Sequence, residues 1–323
     1  MPNLTSADEH FHDRSDHPHW NESAWFAFTL PDRAASVYVY FYHRPNMGLS
    51  AGGMKVWDPS GHTEYDCLGY DWDRTQALPE GSDMFDFTLP IGLTVKMVEP
   101  FTEFEIRHEG SFTADLHWTK VTEPYAFGPN AGLEGWTTVG EGHTTGHYQQ
   151  FGHVTGHLII AGERIEVDQP SIRDRSWGPR SASAARRAEL MWCGSPSGTS
   201  FSLYAVSTHA LEEDPVFGTT DQVAFGHYTK DGIGSTIVGG TSRVLERGPD
   251  GRPERMVVDA VDELGRNLHA EGTGLNALVW SVYDRTYQLP CTTRWEFNGE
   301  TAVGEDWSCM PTEMARRILR AGN

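Results

Sequence analysis

Almost nothing in this 323-residue chain recurs at the three-to-four-residue spacing of an amphipathic helix, which argues against helical bundles and layered α/β folds. No apolar run approaches the ~20 residues of a membrane-spanning helix, so no membrane span is expected. The first twenty residues, Met1 to Trp20, lack both a basic start and an apolar stretch, so they do not read as a secretion signal. The four cysteines (Cys67, Cys193, Cys291, Cys309) show no CxxC or CxH spacing. Scattered thiols of this kind fit a reducing, cytoplasmic setting and no structural zinc. Positive charge is scarce: 25 Lys and Arg stand against 45 Asp and Glu, a formal charge of −20. That balance argues against nucleic acid and anionic membrane as partners, since both select basic surfaces.

Nucleotide and nucleophile signatures are missing too. No GxGxxG occurs, and the glycine-rich stretch Gly48 to Gly53 lacks the lysine of a phosphate-binding loop. Gly194-Ser195-Pro196-Ser197-Gly198 is not GxSxG and reads as a hairpin turn. Chemistry, if present, is expected to need no cofactor and no metal. The acidic, His-rich segment from His10 to His19 holds metal-ligand types, but without regular ligand spacing. Nothing periodic ties residues 1–19 to the rest, so this arm is read as dispensable.

Apolar residues make up a low 38%, and aromatic ones 11%, with 11 Trp, 11 Tyr and 15 Phe. Rings therefore supply core volume that aliphatic side chains usually provide, and they suit the wall of a site for an apolar ligand equally well. Short alternating segments bounded by Gly, Pro, Asn and Asp recur along the chain, the pattern of an all-β protein. Ser36–Tyr42, Leu93–Val98, Thr102–His108 and Ser111–Lys120 read as strands in the first half. Glu189–Cys193, Ser200–Ser207, Gln222–Lys230, Arg255–Val261, Trp280–Leu289 and Thr292–Phe297 follow in the second. The tail alone reads as a helix, from Glu313 to Arg320, acidic first and basic last. A faint repeat relates Val37–His43 and Met54–Gly61 to Phe201–His209 and Phe225–Gly232. It suggests two similar antiparallel domains, barrels or sandwiches, split within 160–185 and set here at 1–165 and 166–323.

Two neighbouring segments carry candidate chemistry. From His147 to Ile160, one strand face would present His147, Gln149, Phe151, His153, Thr155 and His157, unless a bulge at Gly152 or Gly156 breaks the register. A solvent-facing stripe is the plainer reading. Arg173 to Arg180 then packs one carboxylate, three guanidinium groups and Trp177 into eight residues. Such a segment is either a structural arginine clamp or a site where a buried carboxylate does acid/base work.

These residues resemble the AttH and carotenoid 1,2-hydratase superfamily. Its His-Val-x-Gly-x-Leu-Ile-Ile-x-Gly strand matches His153 to Gly162, and its Asp-(His/Arg)-(Ser/Asn)-Trp-Gly motif matches Asp174 to Gly178. Asn21 to Phe26 is a weaker echo of an early Glu-Trp-Trp segment. The resemblance implies two tandem lipocalin-like domains with a short C-terminal helix and a ligand site near their interface. It implies a hydratase, dehydratase, isomerase or cyclase acting on a hydrophobic isoprenoid- or polyketide-like alkene, with Asp174 as the acid that protonates it. The chain departs from the hydratases at Ile172 and Arg173, where they favour Tyr and His. An arginine turned inward there would depress the Asp174 pKa. His147 and His153 are the candidate partners that position or activate water. Trp177, Trp25, Tyr204 and Gln149 are the candidate substrate contacts, the rings facing a developing cation. The competing class is a non-catalytic carrier of a hydrophobic small molecule. It predicts Asp174 locked to Arg173, Arg175 or Arg180. Oligomeric state is not legible.

Overall fold

The computed structural model describes residues 4–127, 146–180, 186–210, 213–214, 219–281 and 286–321. Nearly all of it is antiparallel strand. The first domain is one strongly curled sheet with strand order β4-β3-β2-β1-β11-β10-β8-β7-β6-β5, and it does not close among the described residues. Its central strands are β1 (Trp20–Leu30), β2 (Ala35–Arg44), β3 (Leu49–Trp57), β10 (Gly146–Ile160) and β11 (Glu163–Pro179). Flanking these are β4 (Gly69–Ala77), β5 (Asp86–Thr88), β6 (Leu93–Glu99), β7 (Glu103–Glu109) and β8 (Thr113–Lys120), while the short β9 (Tyr125–Phe127) also pairs with β10. The second domain is a closed eight-stranded barrel: β12 (Ala188–Gly194), β13 (Ser200–Val206), β14 (Thr219–Lys230), β15 (Ile233–Arg247), β16 (Pro253–Asp262), β17 (Asn267–Ala277), β18 (Thr286–Phe297) and β19 (Glu300–Pro311). The helix α1 (Thr312–Ala321) closes the chain and buries Met314, Ala315 and Ile318. Among the described residues, no helix is long and apolar enough to cross a membrane.

The all-β, two-domain lipocalin-like reading holds. Two details differ. Residue 165 is not a boundary: it lies inside β11, which pairs with both β1 and β10 and belongs wholly to the first domain. The sequence cannot reveal this, because β11 runs 17 residues without a break and its partner β1 stands at the other end of the domain. The strand expected at Trp280–Leu289 begins only at Thr286; Trp280 makes an isolated bridge to Gln288, and residues 282–285 lie outside the described residues.

Strand alternation sorts the aromatic residues. On β1 and β2, Phe26, Phe28, Val37, Val39 and Phe41 fill the concave core of the first sheet. Their neighbours Trp25, Tyr38, Tyr40 and Tyr42 lie on the opposite face, against Leu190, Trp192 and Trp280 of the barrel domain. The strand pattern thus builds two cores, one within the domain and one between domains. The barrel interior is packed with Met191, Phe201, Leu203, Met256 and Trp295. Beside that packing, Arg187 binds Asp214 and Asp221, and Arg247 donates to Glu189 at 2.9 Å, all fully buried.

Candidate functional site

The side chains of Arg173, Asp174 and Arg175 are dealt to opposite faces of β11. Arg173 enters the first-domain core, where its guanidinium binds Glu9 and donates to Gln150 at 2.7 and 2.9 Å. The rings of Phe104 and Trp118 lie 4.5 and 5.3 Å from it. Glu9 also accepts from the Tyr148 hydroxyl at 2.6 Å and from the Phe101 backbone N–H at 3.0 Å. Arg175 binds Glu22, which accepts from Trp20 at 3.1 Å and faces His12 at 3.2 Å. Burial alone would raise the Glu22 carboxyl, but Arg175 and His12 outweigh it and hold that group below its usual range. Both arginines are fully buried and neither turns toward Asp174.

This overturns the dispensable N-terminal arm. Glu9 sits in the short 3-10 turn Ser6–Glu9 and is fully buried, and His12 stacks on Trp177 at 3.9 Å. Periodicity could not show this, because the arm is held by single charged contacts. The histidines there pair individually: His10 with Asp83, His12 with Asp8 and Glu22.

Asp174 faces the barrel domain. Its carboxylate lies 2.5 Å from His147 Nε2, and the two side chains keep 11% and 17% exposure. In the sheet, Asp174 stands directly between Trp25 on β1 and Gln149 on β10. Gln149 Oε1 accepts from Ser202 Oγ of the barrel at 2.7 Å, while its Nε2 has no partner. Over His147 lie Phe127 at 4.9 Å and Phe225 at 6.1 Å, and Tyr204 stacks on Phe225 at 4.9 Å. Fully buried His227 lies beyond, 5.4 Å from Phe151 and stacked on Tyr125, and burial pushes its imidazole down to about 3. It is a neutral ring, not a cation. The site is therefore a carboxyl–imidazole pair, one spare amide donor and an aromatic enclosure, an arrangement that can hold a proton next to an apolar surface.

The structure brings together Asp174, His147, Gln149, Trp25 and Tyr204. It parts two other candidates from them. Trp177, at odd spacing from Asp174 on β11, faces the N-terminal arm. His153 lies six residues along β10 from His147, roughly 20 Å away, where it meets Asp168 at 2.5 Å in an exposed pair. Gly152 and Gly156 introduce no bulge, and the β10–β11 register runs unbroken from Gly146 to Ile160. Gly152 instead makes room for Trp118, whose ring a Cβ would meet at 2.1 Å. The stripe consequently divides: His147, Gln149 and Phe151 face the barrel, and His153 and Thr155 lie nearer solvent. Sequence reading missed Phe127, Ser202, Phe225 and His227. The last three come from a domain whose docking face no local pattern reveals.

Glu305 extends the same interface on β19. It is buried, accepts from Trp192 Nε1 at 3.0 Å, and leaves Oε1 unpartnered. Burial pushes its carboxyl up to about 7, against smaller pulls downward from Trp192 and Ser36. A carboxyl raised on folding contributes stability that is full below its unfolded value near 4.5 and is lost as pH climbs to about 7. Wild type is expected to lose on the order of 3 kcal/mol over that window that Glu305→Gln retains. Urea unfolding of both proteins from pH 4.5 to 8 checks this; parallel curves would refute it.

A model of a domain of unknown function, DUF7064, matches residues 5–310. The chain belongs to the DUF7064 family. No curated protein matches it. In structure, this DUF7064 protein is similar to an AttH-like protein from Nitrosomonas europaea, at 12% identity and a TM-score of 0.60, over 92% of this chain and 94% of that one. It is also similar to kievitone hydratase from Nectria haematococca, at 13% identity and a TM-score of 0.57, over 97% and 94% of the two chains. What the DUF7064 chain shares with both is the two-domain lipocalin-like fold.

Proposed function

We propose that this protein is a lyase or isomerase that protonates the double bond of a hydrophobic, isoprenoid- or polyketide-like alkene at the domain junction. The observation that carries the reading is the Asp174–His147 pair, 2.5 Å apart, turned away from the buried arginines and toward the aromatic interface. The carrier reading needs Asp174 bonded to Arg173, Arg175 or Arg180; Arg173 and Arg175 are bound to Glu9 and Glu22 instead, and Arg180 donates to Ser176 Oγ at 2.8 Å. The kinship in fold with a protein named as a hydratase supports the same class.

The pair holds the proton to be transferred. Delivered to one alkene carbon, it leaves a carbocation on the other, which Trp25, Phe127 and Phe225 stabilise through their ring faces. Water adding to the cation returns a proton to the pair and completes hydration. Loss of a neighbouring C–H proton gives an isomer, and attack by a second double bond closes a ring. His147 orients Asp174 and shares the proton with it, as an imidazole beside a carboxylate does. Gln149 Nε2 is free to hold water or a substrate oxygen.

Incubation in D2O with a panel of prenylated and polyene alkenes tests this. One deuterium bound to carbon in a recovered product is expected, read by mass spectrometry. Ligands that raise the melting temperature yet come back unlabelled would assign the site to a carrier.

A further inference from the structure

A second buried group at the same junction has no role in this chemistry. Lys55 on β3 is only 1% exposed, and its Nζ has no hydrogen-bond partner. Trp280 lies 2.8 Å from the amine by ring centroid, Trp72 at 4.3 Å, Tyr38 at 5.5 Å and Tyr70 at 5.8 Å. A lysine in mid-strand usually points to water. This one points into the interdomain cluster, because β3 alternates Met54 and Val56 into the first core. Burial holds its ammonium form well below the usual lysine range, with Arg74 pushing the same way and Cys67 opposing. The indole N–H groups of Trp72 and of Trp307, whose ring stacks on Trp280 at 5.7 Å, are likewise buried without an acceptor.

Buried polar groups in folded proteins are nearly always paired, and a set left open calls for a missing partner. Here the open atoms are all able to donate: the Lys55 amine, the indole N–H groups of Trp72, Trp280 and Trp307, and the Tyr70 hydroxyl. The partner they lack is an acceptor, and a charged one suits an amine that can take up a proton between two indole faces.

We propose that Lys55, with the N–H groups of Trp72 and Trp307, anchors an anionic oxygen on an otherwise apolar substrate. This rests on the reading of the junction as an apolar-ligand site. Lys55 is three strands and two residues from Asp174, through Tyr38, Ala27 and Ile172, or roughly 15 Å along the sheet. The substrate class is thus an amphiphile: a carboxylate, or an acidic enol or phenol, at one end and the reacting double bond at the other. Tyr70 and Trp72 are half-buried, so the head group enters from their side. On binding, the ionised carboxylate meets Nζ as its ammonium form, giving an ammonium–carboxylate pair.

The test compares farnesoic acid with its methyl ester by titration calorimetry at pH 7. Wild type is expected to bind the acid at least tenfold more tightly than the ester. Lys55→Met keeps length and packing; it is expected to lose 10–100-fold for the acid, the worth of a hydrogen bond to a charged group, and at most twofold for the ester. The acid–ester comparison needs no variant, so it decides the matter even if Lys55→Met folds poorly. Equal binding of acid and ester overturns the anchor and leaves the apolar site standing. Failure of both ligands to bind overturns the anchor and the apolar site together.

Discussion

Asp174→Asn is expected to cut turnover by about 10²–10⁴-fold, the usual worth of a positioned acid/base, while leaving the melting temperature within a few degrees. An amide keeps the shape and can still pair with His147, but it holds no transferable proton. The fold has little stake in this carboxylate, since the charges that lock β11 in place belong to Arg173 and Arg175 on the other face. His147→Asn should fall by a similar factor, and the double variant should be little worse than either single one, because the two groups act as a unit. Deuterium incorporation rates paired with calorimetric melting measure both quantities. Near-wild-type turnover in Asp174→Asn would end the acid/base assignment.

Glu9→Ala is expected to do the reverse, costing about 3–5 kcal/mol of stability, as removal of one partner of a buried ion pair does. The loss comes from what is left behind. Arg173 would keep its full charge, surrounded by Phe104, Trp118 and Tyr148 in a fully buried position, with Gln150 as a neutral remaining partner. The melting temperature should drop on the order of 10 °C. Replacing Arg173 by Met in the same protein should recover part of the loss, since no buried charge then lacks its counterion. A drop of less than about 1 kcal/mol in the single variant would mean that water reaches Arg173 and that the arm is not structural.

The two residues mark what could be read from the chain and what could not. Short alternating strands, the tail helix and the tight turns at Ala161-Gly162 and Asp231-Gly232 are local, and they stand in the structure, both turns with positive φ at each residue. Asp174, His147 and Gln149 were within reach because alternation along two adjacent strands places them on one face. The same rule, applied strictly, also sends Trp177 to the other side. Sequence gave no hold on Glu9, because its partner Arg173 is 164 residues away and no periodicity announces an ion pair. Nor did it give one on Lys55, which a strand pattern alone assigns to solvent. The barrel residues Ser202, Phe225 and His227 face the site only because two domains dock, and no local pattern separates residues of the docking face from those of a core.

Strand β1 finds its partner β11 late. Ser23 meets Ser176 across 153 residues, so the strand made first pairs on one side only after nearly the whole domain has left the ribosome. Until Pro179 emerges, one edge of β1 is a bare row of amides beside Trp25 and Phe26, and Glu9 has no guanidinium to meet. Chain-distant closure of this kind slows folding and exposes apolar surface while it waits. The strand that seats Asp174 is thus also the one whose arrival completes the first domain, so a polypeptide cut short before it carries neither that carboxylate nor a finished fold to hold it.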